Sequence, residues 1–432
     1  MVLFYHTSFK FIKGDFLMEK TPVYLIMVTS DNHNKFYNCE PNSDGTFTVK
    51  YGRVGGHEST KIYPMSKWDS QINSKLKKGY VSQTHLMTDV IENSKEEEPT
   101  EGKDKFSVIE NKSVRDIIKR LYDFANKVIQ SAYKVKSSVV TQAMIDEAQS
   151  LIDNLALNYE NMDYNQFNKK LLEIFMVIPR KMSNVSDYLI YKNDMDSFKS
   201  IIDREQSTLD AMAGQVYKPV KIEKKNADSD TNNNEVSVLD EMGITMEDAT
   251  AEDVILVKKM LGRDSDRFVK VWRVNNHETD EHFKSFCSEY KISNTKLMWH
   301  GSRSENFFNI LKTGLKIRPA NAVYTGSMFS DGLYFSTLAR KSIGYTSTSG
   351  SYWAKGNAQT GFMAIFEVAY GNPYTVYEHT SECYHFNFNV LQKKNPPCHC
   401  VYASPEKGML RNPEIIFYRP DQVTVRYLVE IK

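Results

Sequence analysis

LMWHGSRSENFFNILKTGLKI at residues 297–317 and TGSMFSDGLYFSTLARKSIGY at residues 325–345 decide how the rest of the chain is read. The lead-in Leu297, Met298 and Trp299 is apolar and ends on His300. Gly301 follows, and a residue without Cβ lets a backbone come close to a ligand. Ser302 and Arg303 open a segment of helical period with Phe307, Ile310 and Leu311 on one face. Gly332 turns the chain into a short strand holding Tyr334 and Phe335. Ser342 and Tyr345 stand one helical turn apart and share a face. Two tyrosines for stacking, two small hydroxyls and one imidazole suit a flat, uncharged, amide-bearing aromatic ring attached to a sugar.

HGSR at 300–303, GLYFS at 332–336 and KSIGY at 341–345, in that order, resemble the NAD-binding signature of the poly(ADP-ribose) polymerase family. That family's His-Tyr-Glu triad ends on a glutamate opening a late strand. LRNPEIIFYRPDQVTVRYLVEIK at 410–432 supplies Glu414 in that place, with Pro413 tolerable ahead of a strand's first position. The resemblance implies that NAD+ is consumed as a substrate, with no metal required. His300 would bind the ribose adjoining nicotinamide. Gly301 and Ser342 would grip the carboxamide, Tyr345 would stack on the ring, and Tyr334 would wall the pocket. Ser302 and Asn306 match positions on the adenosine side, and Lys341 lies beside the reacting ribose. The loop 316–331 would be a lid.

Length, at 432 residues, fits about three domains. With 41% hydrophobic and 25% charged residues, the composition is that of an ordinary soluble protein. No stretch approaches the roughly 18 apolar residues of a membrane span. The net charge of +1 means that nucleic-acid binding must come from a local basic patch. Five scattered cysteines fit a reducing, intracellular setting, the nucleus in a eukaryote. Cys383 and His385, then Cys398 and Cys400, come nearest to a metal pattern, but their spacing is tighter than usual, and ordinary thiols are the simpler reading. Residues 1–19 read as an apolar arm or as a segment ahead of a natural start at Met18.

Residues 20–90 read as a small β-rich domain with a helix near 65–76. Residues 50–80 carry seven Lys or Arg against two acids. YGRVGG at 51–56 resembles a WGR domain, the DNA-end-sensing module of the DNA-dependent polymerases, with Tyr51 in the tryptophan's place. The resemblance implies that Tyr51 packs on a sugar near a strand break and that Arg53 sits at a contact between domains. The bland alternative is a basic solvated face. Such binding would be salt-dependent and sequence-independent.

A charged linker (91–111) leads to residues 112–214, where apolar residues recur at helical spacing, as in an all-α bundle. VVTQAMIDEAQSLI, LLEIFMVIPR and DSFKSIIDREQSTLDAM resemble, in order, the family's autoinhibitory regulatory bundle. A flexible linker (215–249) precedes a catalytic domain (250–432). The fold class is thus multidomain α+β, ending in a mixed α/β domain with mostly antiparallel sheets. No G-x-G-x-x-G opens a helix, which excludes a Rossmann dehydrogenase.

The expected function is DNA-break-activated poly(ADP-ribosyl)ation of proteins, the chain itself included, by a monomer that does not bind membranes. A mono-ADP-ribosyltransferase and a non-catalytic DNA-end-binding protein are the alternatives.

Overall fold

The computed structural model describes residues 20–87, 105–132, 140–214, 236–317, 328–348 and 358–432. The arm at 1–19, most of the linker at 91–111 and residues 318–327 of the expected lid at 316–331 lie outside them.

Alternation of apolar residues builds the first sheet. Strands β1 (Val23–Val28), β2 (Asn34–Pro41), β3 (Thr46–Arg53), β4 (Glu58–Pro64) and β5 (Val81–Ser82) take the order β4-β3-β2-β1-β5. Helix α1 (Trp68–Leu76) buries Trp68 against Phe47. Period two gives β1 two apolar faces. Leu25 joins the small core with Tyr37 and Val49, whereas Ile26 and Val28 point into a helical core.

That second core is made by α2 (Lys112–Ala132), α3 (Gln142–Asn158), α4 (Tyr164–Val177) and α5 (Met195–Ala213). Thr141 and Asp163 cap α3 and α4 with their side chains, satisfying amides that a helix start leaves unpaired. Phe167 stacks on Phe198 at 4.2 Å between centroids. Helix α2 belongs to two cores. Ala125 and Ile129 pack in the bundle, while Val114, Ile117, Ile118 and Leu121 pack in the C-terminal domain.

The C-terminal domain starts earlier than the sequence reading placed it. Residues 215–235 lie outside the described residues, but 236–249 are not a linker. Helix α6 (Val238–Met242) ends on Gly243 in the left-handed conformation and delivers β6 (Ile244–Asp248) to the sheet. Two apolar residues, Ile244 and Met246, are too few to register as a strand period. The linker at 91–111 is likewise folded at its end, where Ile109 is buried and the Phe106 ring meets Tyr122.

Helix α7 (Ala251–Leu261) carries the expected Thr250 cap. Strand β7 (Phe268–Asn276), helix α8 (His277–Glu289), strand β8 (Lys296–Gly301), helix α9 (Phe307–Thr313), strand β9 (Leu333–Phe335) and helix α10 (Ala339–Ile343) follow. Then come β10 (Gly361–Val368), β11 (Pro373–Val376), α11 (Phe388–Gln392), β12 (Cys400–Ala403), β13 (Glu414–Phe417) and β14 (Val423–Ile431). They form a five-stranded sheet, β6-β7-β14-β10-β8, and a four-stranded one, β11-β12-β13-β9. The ladders are antiparallel except for β11–β12, a parallel pair absent from the sequence reading. The whole is α+β with mostly antiparallel sheets.

One ion pair in the bundle tests its stability. Arg180 and Glu205 are 3% and 1% exposed and joined by two hydrogen bonds, and the Arg180 guanidinium also lies over Phe175. Burial resists charging Glu205, but the Arg180 guanidinium beside it holds the carboxyl below its ordinary value. Such a group stabilises the fold above its unfolded-state pKa, and this is lost as pH falls through the folded-state pKa. Glu205→Gln removes the negative charge that faces a buried guanidinium, so unfolding free energy should drop by about 3–5 kcal/mol in denaturant titrations. The same variant should show less acid destabilisation than the wild type.

Candidate active site

Strand pairing brings the three distant motifs together. In the four-stranded sheet Tyr334 of β9 faces Ile416 of β13. Glu414 lies two residues from Ile416, so side-chain alternation puts Glu414 and Tyr334 on one face. His300, at the end of β8, pairs with Ala364 of β10 in the other sheet. A bridge between Trp299 and Ser336 joins the two sheets at the next position. His300, Tyr334 and Glu414 accordingly line one cavity of about 310 Å³, together with Gly301, Ser302, Asn306, Lys341, Ser342 and Tyr345.

Each side chain has a defined chemical state. The Nδ1 atom of His300 lies 3.1 Å from the Tyr334 carbonyl oxygen. A carbonyl only accepts, so Nδ1 donates and the neutral ring keeps a lone pair on Nε2. Burial pushes this imidazole below its ordinary 6.5, the Tyr334 carbonyl bond opposing. The Tyr334 hydroxyl donates to the Ser330 carbonyl at 2.8 Å and accepts from the Phe329 amide at 3.0 Å. Its ring is therefore fixed as a wall, and burial pushes the phenol upward. Tyr345 is 44% exposed and stands at the rim.

Gly301 is required by space. A Cβ there would come within 1.9 Å of the Ser342 carbonyl oxygen. The backbone at 301 therefore packs directly against the backbone of the buried Ser342. Asn306 donates to the Ser302 hydroxyl at 3.0 Å on the neighbouring wall.

Glu414 is buried at 6% exposure and forms an ion pair with Lys341 through Oε1. Its Oε2 is buried and has no hydrogen-bond partner among the described residues. A carboxylate oxygen only accepts, so this one has unused acceptor capacity among the described residues. Desolvation pulls the Lys341 ammonium down to about 8.

The sequence reading missed Asp210 of α5, which lines the same cavity from the helical bundle. At the end of that helix a Cβ on Gly214 would lie 3.0 Å from Asn309, so bundle and catalytic domain meet closely beside the cavity. No local signal marks Asp210, because its place depends on docking between domains. A concavity of about 690 Å³ elsewhere on the five-stranded sheet holds none of the motif residues.

The other candidate positions lie apart. Tyr51 is 38% exposed on the first sheet. The Arg53 guanidinium donates to the carbonyls of Met182, Ser183 and Asn32, so it is engaged at the contact with the bundle and not spread on an open surface. Among the described residues no group of three or more His, Cys, Asp or Glu is placed to hold a metal ion. The Cys400 thiol is 3.4 Å from the Tyr370 carbonyl oxygen, and the Cys398 thiol is 3.4 Å from that of Pro396. No described helix is long and apolar enough to cross a membrane.

Comparison with known proteins places this geometry. The poly(ADP-ribose) polymerase catalytic domain family matches residues 254–432. The chain is 34% identical over 166 residues to the putative poly [ADP-ribose] polymerase-like 100L of Invertebrate iridescent virus 6, covering 38% of this chain and 84% of that protein. It is 32% identical over 201 residues to uncharacterized protein 101L of the same virus, covering 46% and 80%. To the poly [ADP-ribose] polymerase of Drosophila melanogaster it is 41% identical over 106 residues, 24% of this chain and 10% of that one.

Two measurements probe the site. Gly301→Ala should abolish calorimetric binding of a nicotinamide analogue, because the methyl collides with backbone and not with a flexible side chain. With neutral His300 accepting through Nε2, kcat/KM for NAD+ should fall only as pH drops below 6.5, and this acid limb should vanish in His300→Ala.

Proposed function

Because the chain belongs to the poly(ADP-ribose) polymerase family, and so is an NAD+ ADP-ribosyltransferase, we propose that it builds poly(ADP-ribose) on proteins when DNA breaks release its helical bundle. The observation that carries this reading is the convergence of His300, Tyr334 and Glu414 on one cavity.

The chemistry asks little of a general acid. Nicotinamide is cationic in NAD+, so it leaves as a neutral base, and positive charge develops on the ribose as in glycoside hydrolysis. Glu414 answers that charge, and its free Oε2 holds a ribose hydroxyl. In elongation the same carboxylate activates the incoming hydroxyl. The Gly301 backbone and the Ser342 hydroxyl take the carboxamide, Tyr345 stacks on the ring, and Nε2 of His300 accepts from the ribose. Ser302 and Asn306 serve the adenosine side. A complete His-Tyr-Glu set favours the polymerase over the mono-transferase.

The DNA-dependent part rests on domain order and contact. Residues 20–87 would be the WGR-like sensor, whose lysines contact phosphates and whose Tyr51 packs on a sugar at the break. Residues 112–214 would be the regulator. Ile26, Val28 and Val54 of the first domain share a core with the bundle, and Arg53 clasps it. Asp210 and Gly214 bring the far end of the bundle to the cavity. DNA that binds the loosened state better than the closed one would shift the population toward activity.

NAD+ turnover with and without 5′-phosphorylated nicked DNA tests both halves. Activation should be seen in the wild type, and Glu414→Gln should lose about 10²–10³ in rate. Ladders of labelled product separate polymer from single transfer. Amide exchange across 112–213 should accelerate when nicked DNA is added. Equal protection in both states would sink the switch.

A further inference from the structure

Glu414 opens β13, and its backbone is paired on one side only. On that side Glu414 faces Ala403 of β12. On the other, the β9–β13 ladder runs Phe417–Leu333, Ile416–Tyr334, Ile415–Phe335, so the next pair would be Glu414 with Ser336. That pair does not form. The Ser336 amide and carbonyl turn instead to Trp299, at 3.1 and 2.9 Å. The hydroxyl takes over the missing rung. Ser336 Oγ donates to the carbonyl of Pro413, the peptide group leading into Glu414, at 3.1 Å. The same oxygen accepts from the Leu338 amide at 3.1 Å, at the start of α10, which carries Lys341 and Ser342.

We infer that Ser336 is a positioning residue that sets Glu414 against the His300 strand and the Lys341 helix. It is 1% exposed and its single proton is committed to Pro413. One residue therefore ties together the three elements bearing His300, Glu414 and Lys341. The role is distinct from packing. Ser336→Ala removes one oxygen, leaves the backbone bridge to Trp299 intact, and frees the peptide before Glu414 on that side.

The inference rests on Glu414 being the group that meets the developing ribosyl charge, and the test separates the two. Full-length wild type, Ser336→Ala, Ser336→Thr, Glu414→Gln and the double variant Ser336→Ala with Glu414→Gln are compared by nicotinamide release with nicked DNA present. Thermal unfolding and benzamide binding are measured beside them. A small displacement of a reacting group is costly, so Ser336→Ala should lower kcat about ten-fold. KM for NAD+ and benzamide affinity should stay within about two-fold, because the Ser336 hydroxyl bonds only to Pro413 and Leu338 and makes no hydrogen bond to Gly301, Ser342 or Tyr345. Ser336→Thr, which keeps the hydroxyl, should recover kcat if its unfolding temperature matches wild type. In the Glu414→Gln background the serine change should cost nothing more.

Unchanged kcat in Ser336→Ala overturns the inference. So does an additive loss in the double variant, or a parallel loss of kcat and benzamide affinity, which would mean a disturbed pocket and not a misplaced carboxylate. If Glu414→Gln turns over at the wild-type rate, the reading of Glu414 itself fails instead.

Discussion

The bridge between Trp299 and Ser336 is the constraint on which the active site depends. The two sheets of the catalytic domain carry different parts of the chemistry. One holds His300 and the close backbone approach at Gly301; the other holds Tyr334 and Glu414. Two backbone hydrogen bonds fix where the sheets touch, and the His300–Tyr334 contact lies one residue away. An imidazole whose tautomer is set by a strand carbonyl needs no side chain dedicated to orienting it. The cost is a ladder cut short at Glu414.

Charge is arranged economically around that cut. Lys341 is partly desolvated yet neutralises one oxygen of Glu414, leaving the other buried without a hydrogen-bond partner among the described residues. Breaking a buried pair leaves an uncompensated charge, so the two groups are expected to act as a unit. The helices contribute a further ionisable group, Asp210, from outside the catalytic fold.

Much of this was legible in the sequence, for physical reasons. Long amphipathic segments fix their own period, so α2 to α5 fell where the apolar spacing placed them. Gly301 announced close approach, and a Cβ there would lie 1.9 Å from the Ser342 carbonyl oxygen. Short elements were not legible: β6, β11 and β12 carry four or five residues, too few for a period, and β6 was absorbed into a supposed linker. Ser336 and Asp210 could not be found either. A serine's meaning depends on which carbonyl its hydroxyl meets, and an aspartate's on which domain docks beside it.

Helix α2 has a consequence of its own. Its first half supplies Val114, Ile117, Ile118 and Leu121 to the catalytic core, side chains whose burial stabilises by about 1.5–3 kcal/mol each. Ser113 accepts from the Trp272 indole, and Arg120 is ion-paired with Glu430 of the last strand. Severing the chain near residue 236 would therefore not yield a tidy enzyme; it would lay open a greasy trough along the sheet. The natural seam runs through the middle of this helix, near Leu121 to Ala125, so the first half of α2 belongs structurally to the C-terminal domain.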